Sequence, residues 1–182
     1  MKHLKLLTTL CMLIMCTSAS AALKPGTIAP DFSAPAYLDG KPFTFKLSEA
    51  LKKGPVVVYF FPAAHTEGCN IEAHLFSQAM DRFQALHATV IGVTAGHIDE
   101  LANFSRETDH CGGKFAVAAD EGAKIAKQYD ATLFLRPGWS NRTSYVISPK
   151  RVITFEYSSL HPDEHVKNTL TAVRALMAQP DK

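Results

Sequence analysis

Cysteine is scarce in this chain, and its spacing excludes more than its number does. Four occur among 182 residues, Cys11, Cys16, Cys69 and Cys111. No pair forms Cys-x-x-Cys, so the dithiol of a disulfide reductase is absent. Charge of one sign is lacking as well: 19 Lys and Arg stand against 17 Asp and Glu, a formal net charge of +2. Such a chain has no basic excess to draw it to nucleic acid or to anionic membranes. It carries no internal repeat, no low-complexity tract and no interdomain linker. Ordinary numbers of glycine and proline, 10 each, and 9% aromatics exclude a disordered chain and predict a globular one.

Long apolar runs are missing except near the start. Lys2 and Lys5 form a basic beginning, residues 6–15 a short apolar segment, and Ala19-Ser20-Ala21 a small-residue cleavage site. Residues 1–21 therefore read as a secretory signal peptide. The segment is too short and too interrupted by threonine to span a bilayer. A lipid anchor would want a small residue before its cysteine, and Leu13-Ile14-Met15-Cys16 offers methionine. Removing 21 of 182 residues leaves 161 in a single domain over 22–182, enough for a proper core. Cys11, Cys16, Lys2 and Lys5 leave with the signal, so two cysteines remain and 17 basic residues face 17 acidic ones. The expected location is exported, in the periplasm, with no membrane or nucleic-acid partner after cleavage.

The patterning of the rest predicts an α/β domain. Asp39-Gly40 is a hairpin turn between strands over 33–38 and 42–45, and residues 47–51 suit one helical turn. The continuous apolar run over 56–61 is typical of a strand buried on both faces. Helical spacing follows over 69–86, with Ile71, Leu75, Phe76, Met80, Phe83 and Leu86 on its inward stripe. A strand over 89–93, a helix over 99–107 with Leu101 and Phe104 inward, a strand over 115–118 and a helix over 121–129 come next. A hairpin of 143–147 with 152–157 precedes a last helix opening at His161-Pro162, where proline suits the first helical position. Val166, Leu170, Val173 and Met177 mark that helix's apolar face. Parallel strands joined by helices give a three-layer α/β/α sandwich around a mixed sheet, and the closing hairpin and helix fit a thioredoxin-like fold. Sites in such sheets form beyond the carboxyl ends of the strands, and Cys69 follows one such end.

Cys69 sits where strand gives way to helix, in Phe61-Pro62-Ala63-Ala64-His65-Thr66-Glu67-Gly68-Cys69. A helix N-terminus favours a thiolate over a thiol. Pro62-x-x-x-Thr66-x-x-Cys69 resembles the active-site signature of peroxiredoxins, thiol peroxidases of the thioredoxin fold. Gly68-Cys69-x-x-Glu72 is similar to the subgroup named after bacterioferritin comigratory protein, the PrxQ type. Ala29-Pro30-Asp31-Phe32 resembles that family's N-terminal stretch, and Arg142-Thr143-Ser144-Tyr145-Val146-Ile147 its arginine-bearing strand. The resemblance runs from about residue 28 to residue 177.

It implies an enzyme whose Cys69 thiolate attacks hydrogen peroxide or an organic hydroperoxide. The chemistry agrees: an ordinary cysteine, with a pKa near 8.5, is mostly protonated at neutral pH, and a fixed arginine charge opposes that. Arg142 is the candidate. The Thr66 hydroxyl would accept from the thiol or donate to peroxide oxygen, and helix capping is its bland alternative. Pro62 would narrow the pocket without offering an N–H, or would simply end a strand. Glu72 would orient an arginine or a helix-end amide, and a carboxylate favoured by the helix dipole is an equal reading.

Many members of the subgroup carry a second, resolving thiol five residues after the first, where this chain has His74. Cys111, in His110-Cys111-Gly112-Gly113, is the thiol left to resolve a Cys69 sulfenic acid, and the expected product is an intramolecular Cys69–Cys111 disulfide. That bridge needs Cα atoms within about 7 Å, so local unfolding is expected. An inert Cys111 with an external thiol, a bridge between chains, and a static structural disulfide remain open.

His65, His74 and His110 lie near these cysteines in sequence and invite a metal. Cys69 and His74, five apart, do not share a helix face, and no metal or other cofactor is expected. An exported thioredoxin-fold copper protein or thiol–disulfide exchange protein is the alternative, and it would want two cysteines in the Cys69 loop. His87, His97, His161 and His165 are expected at the surface, and Trp139 either walls the pocket or packs its own loop. The expected partners are a small peroxide and a thioredoxin-like reductant, and the expected assembly is a monomer or a dimer.

Overall fold

The computed structural model describes residues 22–179, so the segment expected to be a signal peptide, with Cys11 and Cys16, lies outside the described residues. Among them, no helix is long and apolar enough to cross a membrane. Strands β1 (Ser33–Leu38) and β2 (Lys41–Lys46) form the expected hairpin about Asp39-Gly40, and α1 (Leu47–Leu51) follows directly. Asp31 Oδ1 accepts from the Ser48 amide at 3.1 Å and ties the Ala-Pro-Asp-Phe stretch to that turn.

Next come β3 (Val56–Phe60), α2 (Glu67–Gln84), β4 (Thr89–Thr94), α3 (Leu101–Arg106), β5 (Ala116–Ala119) and α4 (Lys124–Gln128). A single 3-10 turn leads into each of α3 and α4, so the helices expected over 99–107 and 121–129 are both split. Gly122 and Ala123 take positive φ and break the second. The small strands β6 (Thr132–Leu133) and β7 (Arg136–Ser140) form a separate two-stranded ribbon that the apolar patterning does not predict. The closing hairpin is β8 (Thr143–Ile147) with β9 (Ile153–Ser158), followed by α5 (Asp163–Met177). Pro162 caps α5 instead of opening it.

Seven strands make one mixed sheet in the order β2-β1-β5-β4-β3-β8-β9. Its centre, β3, β4 and β5, is parallel, and antiparallel hairpins flank it on both sides. Side chains alternate across β3 with the period-2 pleat. Val56, Val58 and Phe60 join one core cluster with Tyr129 and Tyr145, while Val57, Tyr59 and Phe61 join another with α2, α3 and α5. This is the expected three-layer sandwich. Two inward assignments fail: Ile71 is 41% and Met177 46% exposed.

Candidate active site

The chemistry gathers at the carboxyl end of β3. The chain leaves the strand at Phe61 and runs through Pro62–Thr66 as a loop fastened to the end of β4. Thr94 Oγ1 donates to the Pro62 carbonyl at 3.1 Å, and Ala63 and Gly96 form an isolated parallel bridge. A Cβ on Gly96 would stand 2.4 Å from the Pro62 carbonyl oxygen and 2.6 Å from Ala63 Cβ, so only glycine allows this approach.

Thr66 is the N-cap residue of α2, yet its hydroxyl makes no cap bond. It donates to the Ala63 carbonyl at 3.0 Å, which closes the loop and leaves its lone pairs free to accept. Cys69 falls in the first turn of α2 and is buried.

Strand pairing brings Arg142 to the same place. β8 runs antiparallel to β3 with Thr143 opposite Phe60, so the residue before β8 lies beside the end of β3. Arg142 is buried, and its three nitrogens are divided among three acceptors. Nε donates to the Leu160 carbonyl at 3.0 Å, Nη1 to Glu72 Oε2, and Nη2 to Cys69 Sγ at 3.5 Å. Burial opposes the arginine's charge, but Glu72 and Cys69 outweigh it and raise its pKa. Gly68 clears the way: a Cβ there would lie 3.0 Å from Nη2. Glu72, in the second turn of α2, is the expected arginine partner: its carboxyl is buried on the inner face and clamps the guanidinium, which sets aside the helix-dipole reading. Burial pushes that carboxyl up to about 8, against the pull of Arg142.

His165 backs this group and corrects the surface expectation: it is fully buried. Its Nε2 faces the Ser159 carbonyl at 2.9 Å and its Nδ1 the Ser144 hydroxyl at 2.8 Å, while Glu72 Oε1 stands 3.6 Å from Nδ1. Burial lowers the imidazole to about 4, so the neutral ring donates from Nε2 and accepts at Nδ1. Two serines could have marked this histidine, but no spacing in the sequence joins them.

Cys111 lies beyond α3 in the same core cluster as Cys69, and both are free thiols. Burial pushes the Cys111 thiol well up, and the Glu107 charge adds to it. Gly112 and Gly113 follow with positive φ. Tyr59, unremarked in the sequence, stacks on Phe61 and Phe76 in that cluster with a buried hydroxyl that has no hydrogen-bond partner. Trp139 packs edge-on to His97, which reaches the Ala64 carbonyl of the Cys69 loop, and lies under Arg136. His65 and His110 meet over Glu107, whereas His74 pairs with Gln78 on α2.

A lone thiol under a buried guanidinium, with no second cysteine in its loop, equips this thioredoxin-like sheet for thiol-dependent peroxide reduction. Known proteins agree. The sequence pattern of the AhpC/TSA family matches residues 25–156. "Peroxiredoxin Q, chloroplastic" of Populus jackii is 31% identical over 157 residues, covering 86% of this chain and 70% of that protein. The protein of the same name from Triticum aestivum is 30% identical over 152 residues, 83% and 67% of the two chains. The crystal structure of Peroxidoxin BcpB from Mycobacterium tuberculosis matches with a TM-score of 0.74 at 27% identity, over 85% of this chain and 98% of that one. The chain belongs to the AhpC/TSA family, among its peroxiredoxins of the PrxQ type. It is a thiol-dependent peroxidase, with a peroxide as substrate and a thiol as reductant.

Proposed function

We propose that Cys69 is the thiol that meets peroxide and Cys111 the thiol that resets it. The Cys69 sulfur attacks one peroxide oxygen, the O–O bond breaks, and water or an alcohol leaves with the other oxygen. A sulfenic acid remains on Cys69. The observation that carries this reading is the Arg142 Nη2 to Cys69 Sγ contact at 3.5 Å, made by a guanidinium that Glu72 anchors. Arg142 stabilises negative charge on the sulfur and on the departing oxygen. Thr66 orients the peroxide, and Pro62 presents a ring with no N–H to the narrow approach.

Cys111 then attacks the Cys69 sulfenic sulfur, expelling water and forming a disulfide. As packed, the Cys111 thiol is buried and holds its proton, so the step requires its glycine-bearing loop to open. A thioredoxin-like dithiol protein re-reduces the bridge, on a monomeric or dimeric enzyme. The basic and apolar start, ending in Ala19-Ser20-Ala21, supports export to the periplasm with a mature chain beginning at Ala22. The N-terminus of the chain recovered from expressing cells tests that step: an intact Met1 would contradict export.

Comparing turnover of wild type, Cys69→Ser and Cys111→Ser with a dithiol reductant tests the chemistry. Cys69→Ser is expected to abolish peroxide consumption, and Cys111→Ser to keep the first turnover while losing the steady state. Unchanged steady-state turnover in Cys111→Ser would refute its resetting role.

A further inference from the structure

We propose that His65, Glu107 and His110 form a binding site for a divalent transition-metal cation of the zinc class, and that the cation fastens the Cys111 loop to the Cys69 loop. Glu107 Oε2 lies 2.8 Å from His65 Nε2 and 2.8 Å from His110 Nδ1. One ligand atom from each of the three residues falls within 4.8 Å of the other two. Two imidazole nitrogens and a carboxylate oxygen suit zinc, copper or nickel better than magnesium or calcium. Zinc binds such atoms at about 2.0–2.2 Å, with a fourth position left to water. Shifts of well under about 1 Å in Glu107 and the two rings would admit it at those distances.

The surroundings are those of a built site. His65 Nδ1 hydrogen-bonds to the Glu100 carboxylate. That bond holds a proton on Nδ1. A cation that displaces the Nε2 proton now facing Glu107 Oε2 therefore meets the ring through its Nε2 lone pair, the outer arrangement usual behind a metal-bound histidine. Phe104 is the floor beneath both rings: His110 stacks on it at 4.9 Å and His65 meets it edge-on at 5.3 Å. His65 adopts a left-handed backbone, φ 57°, which is uncommon for a non-glycine residue and brings its ring round to the α3 side. The three side chains are 28%, 41% and 13% exposed, so a cation reaches them from solvent.

The positions of the ligands decide the consequence. His65 lies in the loop four residues before Cys69, and His110 immediately precedes Cys111. A cation shared by them joins the two loops that must separate and re-form for the disulfide step. That consequence rests on the resetting role proposed for Cys111, while the binding site itself does not.

Zinc titration of the reduced full chain by calorimetry, with magnesium as control, tests the site. Wild type and the Cys69→Ser/Cys111→Ser double variant are both expected to take up one Zn²⁺ per chain, and neither to take up Mg²⁺. Glu107→Gln, which keeps the side-chain shape, and His110→Phe, which keeps the ring on Phe104, are expected to bind at least about tenfold more weakly. No zinc uptake, equal uptake by these variants, or uptake lost with the cysteines would overturn the site. With zinc bound, sulfenate formation on Cys69 is expected to hold within about twofold while disulfide formation slows at least about tenfold. Zinc uptake with an unslowed disulfide step would overturn the fastening. Unchanged turnover in Cys111→Ser would instead strike the resetting role and leave the titration to judge the site.

Discussion

Arg142 serves two potential anions at once, and most of the site's behaviour follows from that division. Replacing it with Met removes the only cation in contact with Cys69 Sγ among the described hydrogen bonds. The rate of peroxide reaction is expected to fall about a hundred- to a thousandfold, the usual cost of losing a preorganised charge donor. Stopped-flow kinetics read it, and a loss under about tenfold would contradict the role. The same change leaves the buried Glu72 carboxyl without its hydrogen-bond partner, and an unsatisfied buried polar group costs about 1–3 kcal/mol, read by chemical denaturation. At Gly68, alanine presses a methyl to 3.0 Å from Nη2. Displacing the guanidinium by a few tenths of an ångström should slow the peroxide step about tenfold with little change in stability. Pro62, Thr66, Cys69 and Arg142 were legible in the sequence because their chemistry and spacing are local or match a known pattern. Glu72 was legible as a candidate to orient an arginine, from its place in the Gly68-Cys69-x-x-Glu72 pattern, whereas His165 was not, because its role depends on a partner 21 residues away.

Elements explain why the loop before Cys69 holds its shape. The Pro62 and Ala63 backbone lies against Gly96 with no room for a Cβ. Gly96→Ala is expected to cost about 1–3 kcal/mol by overpacking and to lower peroxidase activity by moving the loop. Unaltered melting and activity would contradict the close approach. The strands over 56–61, 89–93 and 143–147 could be read to within a residue or so, since each is a short apolar run with clear punctuation. The inward stripe of α2 was harder. It passes through Cys69, Glu72, Ala73, Phe76, Met80 and Phe83, and two of its first members look polar or reactive. Ile71, one residue off the stripe, faces outward despite its hydrophobicity. The β6–β7 ribbon escaped notice because Pro137 and Gly138 interrupt a strand that pairs only with its neighbour.

Across the whole molecule, two buried titratable groups set opposing pH dependences. His165 is depressed by burial from 6.5 to about 4, so its contribution to stability is present above 6.5 and is lost as pH falls toward 4. Glu72 is raised by burial from 4.5 to about 8, so its contribution is present below 4.5 and is lost as pH rises through 8. Between about 4.5 and 6.5 the two offset each other. In Glu72→Gln the histidine acts alone, and stability should drop by about 3 kcal/mol from pH 6.5 to pH 4. A flat profile in that variant, followed by denaturant midpoints, would contradict a buried neutral His165. The three layers were legible from the alternation of strands and helices. That the N-terminal hairpin extends the same sheet, through β1 beside β5, was not, because strand order is fixed by contacts between distant segments. The central claim concerns Cys69, and mass analysis after one equivalent of hydrogen peroxide tests it most directly. Wild type should lose two hydrogens to a Cys69–Cys111 bridge, and Cys111→Ser should gain one oxygen on Cys69. An oxygen found elsewhere, or peroxide still consumed by Cys69→Ser, would contradict the account.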